Sequence, residues 1–176
     1  MKAKNSHYLK RLTVASLLAA LTCLGTLVVL NYSPAGGYIH LGDCFVLLSG
    51  FLMGPLWGGL AAGLGAALTD LILGYAVYVP ATFLIKWGVA ALASVLMRLL
   101  MSKSSRAAMA KYALSGAVGE CVMVGGYFVY ELMLYGFAGA VPNILMNAVQ
   151  AASGVIAATL LIIPITKIKY LRNFWI

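Results

Sequence analysis

Long apolar runs recur along nearly the whole chain, and they limit its fold more than any other feature. A transmembrane helix needs about 20 predominantly apolar residues, and six segments are candidates. They lie over residues 11–31, 42–56, 58–76, 81–101, 108–134 and 143–166. The 176 residues are 63% hydrophobic and 9% charged, which is more apolar surface than a soluble core of this size buries. The sequence predicts an all-α polytopic membrane protein with six transmembrane helices.

The first apolar run follows a lysine-rich N-terminus, which is also typical of a signal peptide. Its span, 11–31, exceeds the ~7–15 apolar residues of a signal sequence, so we expect a retained membrane helix. No linker or change of composition divides the segments that follow. We therefore predict one domain over residues 1–176.

The basic residues predict the orientation. Eleven of the twelve flank the first helix, the connection between the fourth and fifth, or the end of the sixth: Lys2, Lys4, Lys10, Arg11, Arg98, Lys103, Arg106, Lys111, Lys167, Lys169 and Arg172. Six crossings place all three groups on one side, which the positive-inside rule makes the cytoplasm. We expect both termini there. The net charge of +8 thus has a topological explanation, and no nucleic-acid partner is expected.

Three connections, at about 32–41, 76–80 and 135–142, then face outward. The first contains Pro34, Gly36 and Gly37, which favour a non-helical path, and we expect it to form a mobile lid. Aromatic residues gather at the same level: Tyr32, Tyr38, Tyr75, Tyr78, Tyr127, Tyr130, Tyr135 and Phe137. They form either an interfacial belt or the lining of a site.

The twelfth basic residue, Lys86, lies inside the fourth predicted helix, at a depth similar to that of Asp70 in the third. Charged side chains in hydrocarbon pair together or line a cavity, because each costs about 2.5–3.5 kcal/mol to insert. An Asp70–Lys86 ion pair and a ligand site are both compatible with the sequence, and the two interpretations are not exclusive.

Other polar residues fall at the outer ends of the predicted helices. Asp43, just after His40, begins the second helix as an N-cap, a first-turn acid or a ligand contact. Glu131 lies near the outer end of the fifth helix, whereas Glu120 is near mid-membrane, where it faces a polar interior or is protonated.

Three amides share one face of the sixth predicted helix. Asn143 and Asn147 are one turn apart, and Gln150 follows three residues later. This spacing aligns them on one stripe of the helix. The amides then form hydrogen bonds either with neighbouring helices or with a ligand.

Together these polar residues predict a pocket that opens outward without a route through the protein. Its members are His40, Asp43, Asp70, Lys86, Glu131, Asn143, Asn147 and Gln150. No metal site is expected because the two histidines are far apart. No catalytic residue is expected either, since the intramembrane serines lack a base nearby.

The chain resembles the substrate-binding S-component of energy-coupling factor (ECF) vitamin transporters, in the riboflavin/hydroxymethylpyrimidine-type branch. The resemblance covers nearly the whole chain and depends on the six-helix layout, on "GYIHLGDCFVLLSGFLMGPLWGGLAAGLGAALTDLILGY" and on "PATFLIKWGVAAL". It implies a protein of the prokaryotic cell membrane that binds a vitamin outside and reorients to release it inside. It also implies a membrane T-component, which docks on an A-x-x-x-A motif matched by Ala15 and Ala19, and two cytoplasmic ATPases. ATP is then used by the partner subunits, and no cofactor is expected here.

The resemblance leaves the substrate open. A pyridoxine- or hydroxymethylpyrimidine-like heterocycle is favoured, while riboflavin on aromatic rings and the carboxylate of pantothenate on Lys86 are alternatives. A non-transporting membrane scaffold and a standalone small-molecule carrier are the rival functions.

Overall fold

Over the residues that the structure describes, the protein is helical apart from one short β-hairpin. The computed structural model describes residues 2–32, 38–100 and 105–168, and the central part of the expected lid, residues 33–37, lies outside them. The described elements are α1 Lys2–Leu27, β1 Val29–Tyr32, β2 Tyr38–His40, α2 Gly42–Ile72, α3 Val79–Leu99 and α4 Ser105–Thr166. All four helices are long and apolar enough to cross a membrane.

The end of α1 differs from the prediction. The helix ends at Leu27 rather than at residue 31, and Val29–Tyr32 pairs antiparallel with Tyr38–His40, with Val29 opposite His40. These short segments are rich in β-branched and aromatic residues, which favour extended structure. The predicted end of the first helix at residue 31 was wrong, while the all-α class holds for the bundle, and the hairpin brings His40 to one end of it.

Helix α2 folds back on itself at Gly54, immediately before Pro55. Gly54 has φ 84° and ψ −178°, a conformation that glycine adopts at little cost. Past the break, Gly58 packs against the backbone of Ser49 and Gly50, so closely that a Cβ on Gly58 would lie 2.2 Å from the Ser49 carbonyl oxygen. The predicted end of the second apolar segment at Gly54-Pro55 is confirmed. The following segment ends at Ile72 rather than at residue 76.

Helix α4 folds back in the same way at Gly136, where φ is 71° and ψ is −178°. Residues 117–125 and 148–156, on either side of the break, line one groove and therefore lie side by side. The sequence predicted a connection over 135–142 between the last two helices. The break at Gly136 falls within this stretch, but it is shorter than predicted, because the helix continues through Pro142.

The bundle packs small and apolar residues around the first half of α2. Leu47 and Phe51 are buried against Val89 of α3 and Met123 and Ile162 of α4. Large apolar side chains such as Leu64, Leu84 and Leu145 point outward and are 56–71% exposed. Apolar side chains outside and ionisable groups inside are the pattern expected of a bundle whose surroundings are lipid.

Candidate functional site

An ion pair between Lys86 of α3 and Asp43 of α2 lies near the end of the bundle that carries the β-hairpin, with each side chain 1% exposed. The Lys86 ammonium also lies 2.9 Å from Met123 Sδ and 5.5 Å from the centroid of the Tyr127 ring. The pairing of Lys86 with Asp70 was therefore the wrong ion-pair hypothesis. The close approach of α2 and α3 explains the observed pair, because Gly50 is so near Ala90 that a Cβ would lie 2.3 Å from its carbonyl oxygen.

The sequence allowed two structural roles for Asp43, helix N-cap and first-turn acid, and the structure shows the second. Asp43 is in the first turn of α2, but the N-cap residue is Leu41, and no side chain caps the helix. The second carboxylate oxygen of Asp43 accepts a hydrogen bond from Gln150 Nε2 at 2.7 Å. The carboxylate is thereby held by side chains of α3 and α4.

Gln150 also connects the second half of α4 to the hairpin. Its Oε1 accepts a hydrogen bond from the His40 backbone N–H at 3.1 Å, and its Nε2 lies 3.3 Å from His40 Nε2. His40 Nδ1 accepts the backbone N–H of Gly42 at 3.0 Å. Burial lowers the pKa of His40 from 6.5 to about 4, with Asp43 opposing this shift and Lys86 adding to it. His40 is therefore neutral at physiological pH.

A polar cavity of about 50 Å³ opens above this network. Its walls come from α1, the hairpin and all three other helices: Thr26, His40, Ala66, Asp70, Tyr75, Tyr78, Thr82, Lys86, Tyr127, Glu131, Asn147 and Gln150. Six of the eight residues predicted from the sequence are among them. Asp43 lies behind Lys86, and Asn143 is buried next to Glu131. The fold thus gathers all eight, while their contact with a ligand stays a prediction.

Three tyrosines form the aromatic part of the wall. Tyr78 packs edge-on against Tyr75, with ring centroids 6.3 Å apart, and Tyr127 lies 6.4 Å from Tyr78. The Tyr127 hydroxyl donates to Thr82 Oγ1 at 3.0 Å. The sequence left open whether the aromatic residues form an interfacial belt or line a site, and these three rings line the cavity.

Two threonines of the wall, Thr26 and Thr82, were not among the residues predicted from the sequence, although Thr82 gave a signal. Thr82 lies one turn before Lys86 on α3, and Thr26 lies near the end of α1. Residues four apart share a helical face, so Thr82 could have been placed beside Lys86. Thr26 gave no comparable signal, because its position depends on how α1 packs.

Glu120 lies outside this cavity. It is 1% exposed, and neither carboxyl oxygen has a hydrogen-bond partner in the part of the chain that the structure describes. It lines a separate, largely apolar groove between the two halves of α4, with small residues such as Ala117 and Ala152. Residues 2–32, 38–100 and 105–168 contain no cluster of three or more histidine, cysteine or acidic residues that could hold a metal ion.

The proposed docking motif lies at the interface of α1 and α2. Ala15 is buried with Leu18 and Ala61, and Ala19 packs beside them, half-buried. Their small size is thus already used in packing within the bundle. A role in docking a partner stays a prediction.

Comparison with known proteins identifies related sequences over nearly the whole chain. Residues 6–167 match the family described as the ECF-type riboflavin transporter S component. The chain is 35% identical over 137 residues to a Pyrococcus woesei protein described as "Uncharacterized protein in gap 3'region", covering 78% of this chain and 88% of that protein.

A second curated protein and one solved structure cover more of the chain than the Pyrococcus protein does. The thiamine precursor transporter HmpT of Lactococcus lactis subsp. cremoris (strain MG1363) is 29% identical over 177 aligned positions, or 99% of this chain and 98% of HmpT. A solved structure of the S component of a bacterial ECF transporter superposes with a TM-score of 0.69 at 21% identity, covering 90% of this chain and 96% of that one. At that identity, the superposition shows a shared fold.

Proposed function

The chain belongs to the ECF-type riboflavin transporter S component family, and from this we propose that it captures a small vitamin or vitamin precursor at the outer face of the cell membrane. The observation that carries the proposal is the cavity built by His40, Lys86 and Gln150 together with Tyr75 and Tyr78, from the connection before α3, and Tyr127 of α4. Polar groups that converge among aromatic side chains are typical of small-molecule sites. The family is one of transporter components rather than enzymes.

Six membrane crossings with cytoplasmic termini suit the lengths of the helices. At 1.5 Å per residue, the 31 residues of α2 and the 62 of α4 extend over about 46 and 93 Å, while the hydrocarbon core measures about 30 Å. Each of these helices folds back at a glycine, which divides it into two crossings. Lys10 and Arg11, Arg98 and Lys111, and Lys167 then flank the cytoplasmic ends, in line with the positive-inside rule. The whole chain forms one domain in this proposal.

The substrate is a heterocycle of about the size of a pyrimidine or pyridine. HmpT, which is similar over nearly its whole length, is a thiamine precursor transporter, and the tyrosines of the wall offer faces on which a flat ring stacks. The cavity of about 50 Å³ has room for a few water molecules, so a ligand must displace side chains to enter. A hydroxymethylpyrimidine- or pyridoxine-like molecule needs a smaller displacement than riboflavin.

Transport requires partners in this proposal. A membrane T-component and two cytoplasmic ATPases, the general partners of the family, supply the energy, and the S-component itself needs no cofactor. The predicted site residues cluster at one end of the bundle, so the ligand crosses by reorientation of the whole protein. Ala15 and Ala19 are the proposed contact with the T-component.

The test is binding without the energising module. The purified protein in detergent is titrated by calorimetry with hydroxymethylpyrimidine, pyridoxine, riboflavin and pantothenate, and native mass spectrometry checks for a co-purified molecule. We expect tight binding of one compound in the absence of ATP. A blank titration of the whole panel, with no co-purified ligand, would argue against a capture function.

A further inference from the structure

Among the residues that the structure describes, Lys86 is the one cation in the cavity wall, and it is already paired with Asp43. The Lys86 ammonium contacts the Asp43 carboxylate, Met123 Sδ at 2.9 Å and the Tyr127 ring at 5.5 Å. Separating a buried ion pair is strongly unfavourable because it leaves an uncompensated charge. Lys86 is therefore poorly suited to receive the carboxylate of a ligand such as pantothenate.

Glu131 also lines the cavity, but unlike Lys86 it keeps a carboxyl oxygen available to accept a hydrogen bond from a ligand. Its side chain is 3% exposed, and Oε1 accepts a hydrogen bond from the Tyr78 hydroxyl at 3.4 Å. Oε2 is buried and makes no hydrogen bond of good geometry with the residues that the structure describes, although the Asn143 side chain lies beside the carboxyl group. A buried acceptor without a partner is costly, and a donor on a bound ligand would remove that cost.

The other cavity groups favour the same kind of ligand. A second carboxylate, Asp70, also lines the wall, and His40 is neutral. With Lys86 paired to Asp43, the Glu131 carboxylate repels an anion and attracts a donor-rich or cationic group. The buried hydroxyl of Thr26, which also has no partner among the described residues, is able to donate or accept.

The geometry points to Glu131 as a specificity-determining residue of the cavity, where its carboxylate accepts a hydrogen bond from an exocyclic amino group of the substrate. The inference depends on the proposed capture function and narrows its substrate to amino-bearing heterocycles, neutral or cationic. Compounds that present a carboxylate or a carbonyl at this position are rejected, because an ionised carboxylate has no proton to donate.

A matched pair of ligands tests the inference. We would measure the affinities of 4-amino-5-hydroxymethyl-2-methylpyrimidine and of its 4-oxo analogue by calorimetry. The wild-type protein is expected to favour the amino compound by at least about tenfold, since a site built around a hydrogen bond discriminates strongly against an analogue that cannot form it. Glu131→Gln places an amide that both donates and accepts at this position. We therefore expect the affinity for the amino compound divided by that for the oxo compound, the amino/oxo ratio, to fall by about tenfold or more.

Glu120→Gln is the matched control. It makes the same chemical change at another buried carboxyl group of α4, three turns away and outside the cavity. Its amino/oxo ratio should equal that of the wild type. A fall of the ratio in both variants would indicate a general effect of replacing a buried carboxyl group of α4 and would overturn the assignment to Glu131.

The remaining outcomes separate the inference from the proposed function. If the wild type binds no compound of the vitamin panel, the capture function fails. If it binds the two pyrimidines equally, prefers the oxo compound, or binds only compounds without an amino group, the capture function stands and the inference is overturned. The wild-type ratio is informative even if Glu131→Gln fails to fold, and a ratio unchanged in a folded Glu131→Gln protein also overturns the inference.

Discussion

The Lys86 ammonium and the Asp43 carboxylate form an ion pair in which each side chain is 1% exposed. Gln150 donates to the second oxygen of Asp43 at 2.7 Å, so one carboxylate joins α2, α3 and the second half of α4. Ionisable residues within a membrane bundle are retained mainly where they pair or serve a site. This pair does both in our proposal, because Lys86 also lines the cavity.

Replacing Lys86 with Met should destabilise the protein. The change leaves Asp43 buried without its cation, and loss of one partner of such a pair costs about 3–5 kcal/mol. The double variant Lys86→Met/Asp43→Leu removes both charges and should recover part of the loss. Thermal unfolding in detergent measures the effect, and a Lys86→Met variant that melts like the wild type would show that the pair contributes little to stability.

Asn147 offers a change that acts on binding rather than on folding. Its side chain lines the cavity and is half-buried, so Asn147→Ala removes a polar contact without burying a charge. Loss of one hydrogen bond of about 1 kcal/mol should weaken ligand binding several-fold, with little change in the melting temperature. Ser153→Ala is the control, since Ser153 donates to the Gln150 carbonyl oxygen within its own helix. Normal binding by Asn147→Ala would place the ligand elsewhere.

Acidification should destabilise the protein through His40. Its pKa is about 4 in the folded protein and 6.5 when unperturbed, so between these values the unfolded state binds more protons. The stability that His40 contributes is complete above about pH 6.5 and falls as the pH approaches 4, by about 3 kcal/mol in total. Melting temperatures measured from pH 7 to pH 4 should decrease, and less steeply in His40→Gln. Equal slopes for the two proteins would rule out His40 as the cause.

Gly58 and Gly125 form a matched pair for testing the fold of α2. A Cβ on Gly58 would lie 2.2 Å from the Ser49 carbonyl oxygen, whereas a Cβ on Gly125 would meet nothing within 4 Å. Gly58→Ala should therefore lower the melting temperature because the two halves of α2 must separate. Gly125→Ala should leave it unchanged or raise it, since alanine is favoured over glycine in a helix by about 0.5–1 kcal/mol. Similar melting temperatures for the two variants would contradict the close packing at Gly58.

Bulky residues at Ala15 and Ala19 should abolish uptake and spare substrate binding, if these alanines dock the T-component. Ala15 is buried against α2, so Ala15→Leu is also expected to cost about 1–3 kcal/mol by overpacking. The half-buried Ala19 is the better probe, and Ala20→Leu, on the exposed side of α1, is its control. Uptake assays and co-purification of the T-component measure docking. Intact uptake with Ala19→Leu would remove the docking role.

Much of the membrane organisation could be predicted from the sequence. The lengths of the apolar runs identified the helical segments, and Gly54-Pro55 marked the fold-back of α2. Distance from the helix ends gave the depth of Lys86 and of Gln150, which is why the polar residues were expected together. The hairpin was missed because Val29–Tyr32 begins within the apolar run that was assigned to the first helix, and a strand this short is stabilised by pairing with β2.

The sequence by itself determined that this protein is built from membrane-length helices and that its polar residues lie near one end, because length and hydropathy act along each helix separately. The partner of Lys86 was decided by the tertiary structure. Asp43 and Asp70 were both at a suitable depth, but which carboxylate reaches Lys86 depends on the rotation and approach of the helices. The glycine contact between Gly50 and Ala90 brings the first half of α2 against α3, and the ion pair follows from that contact.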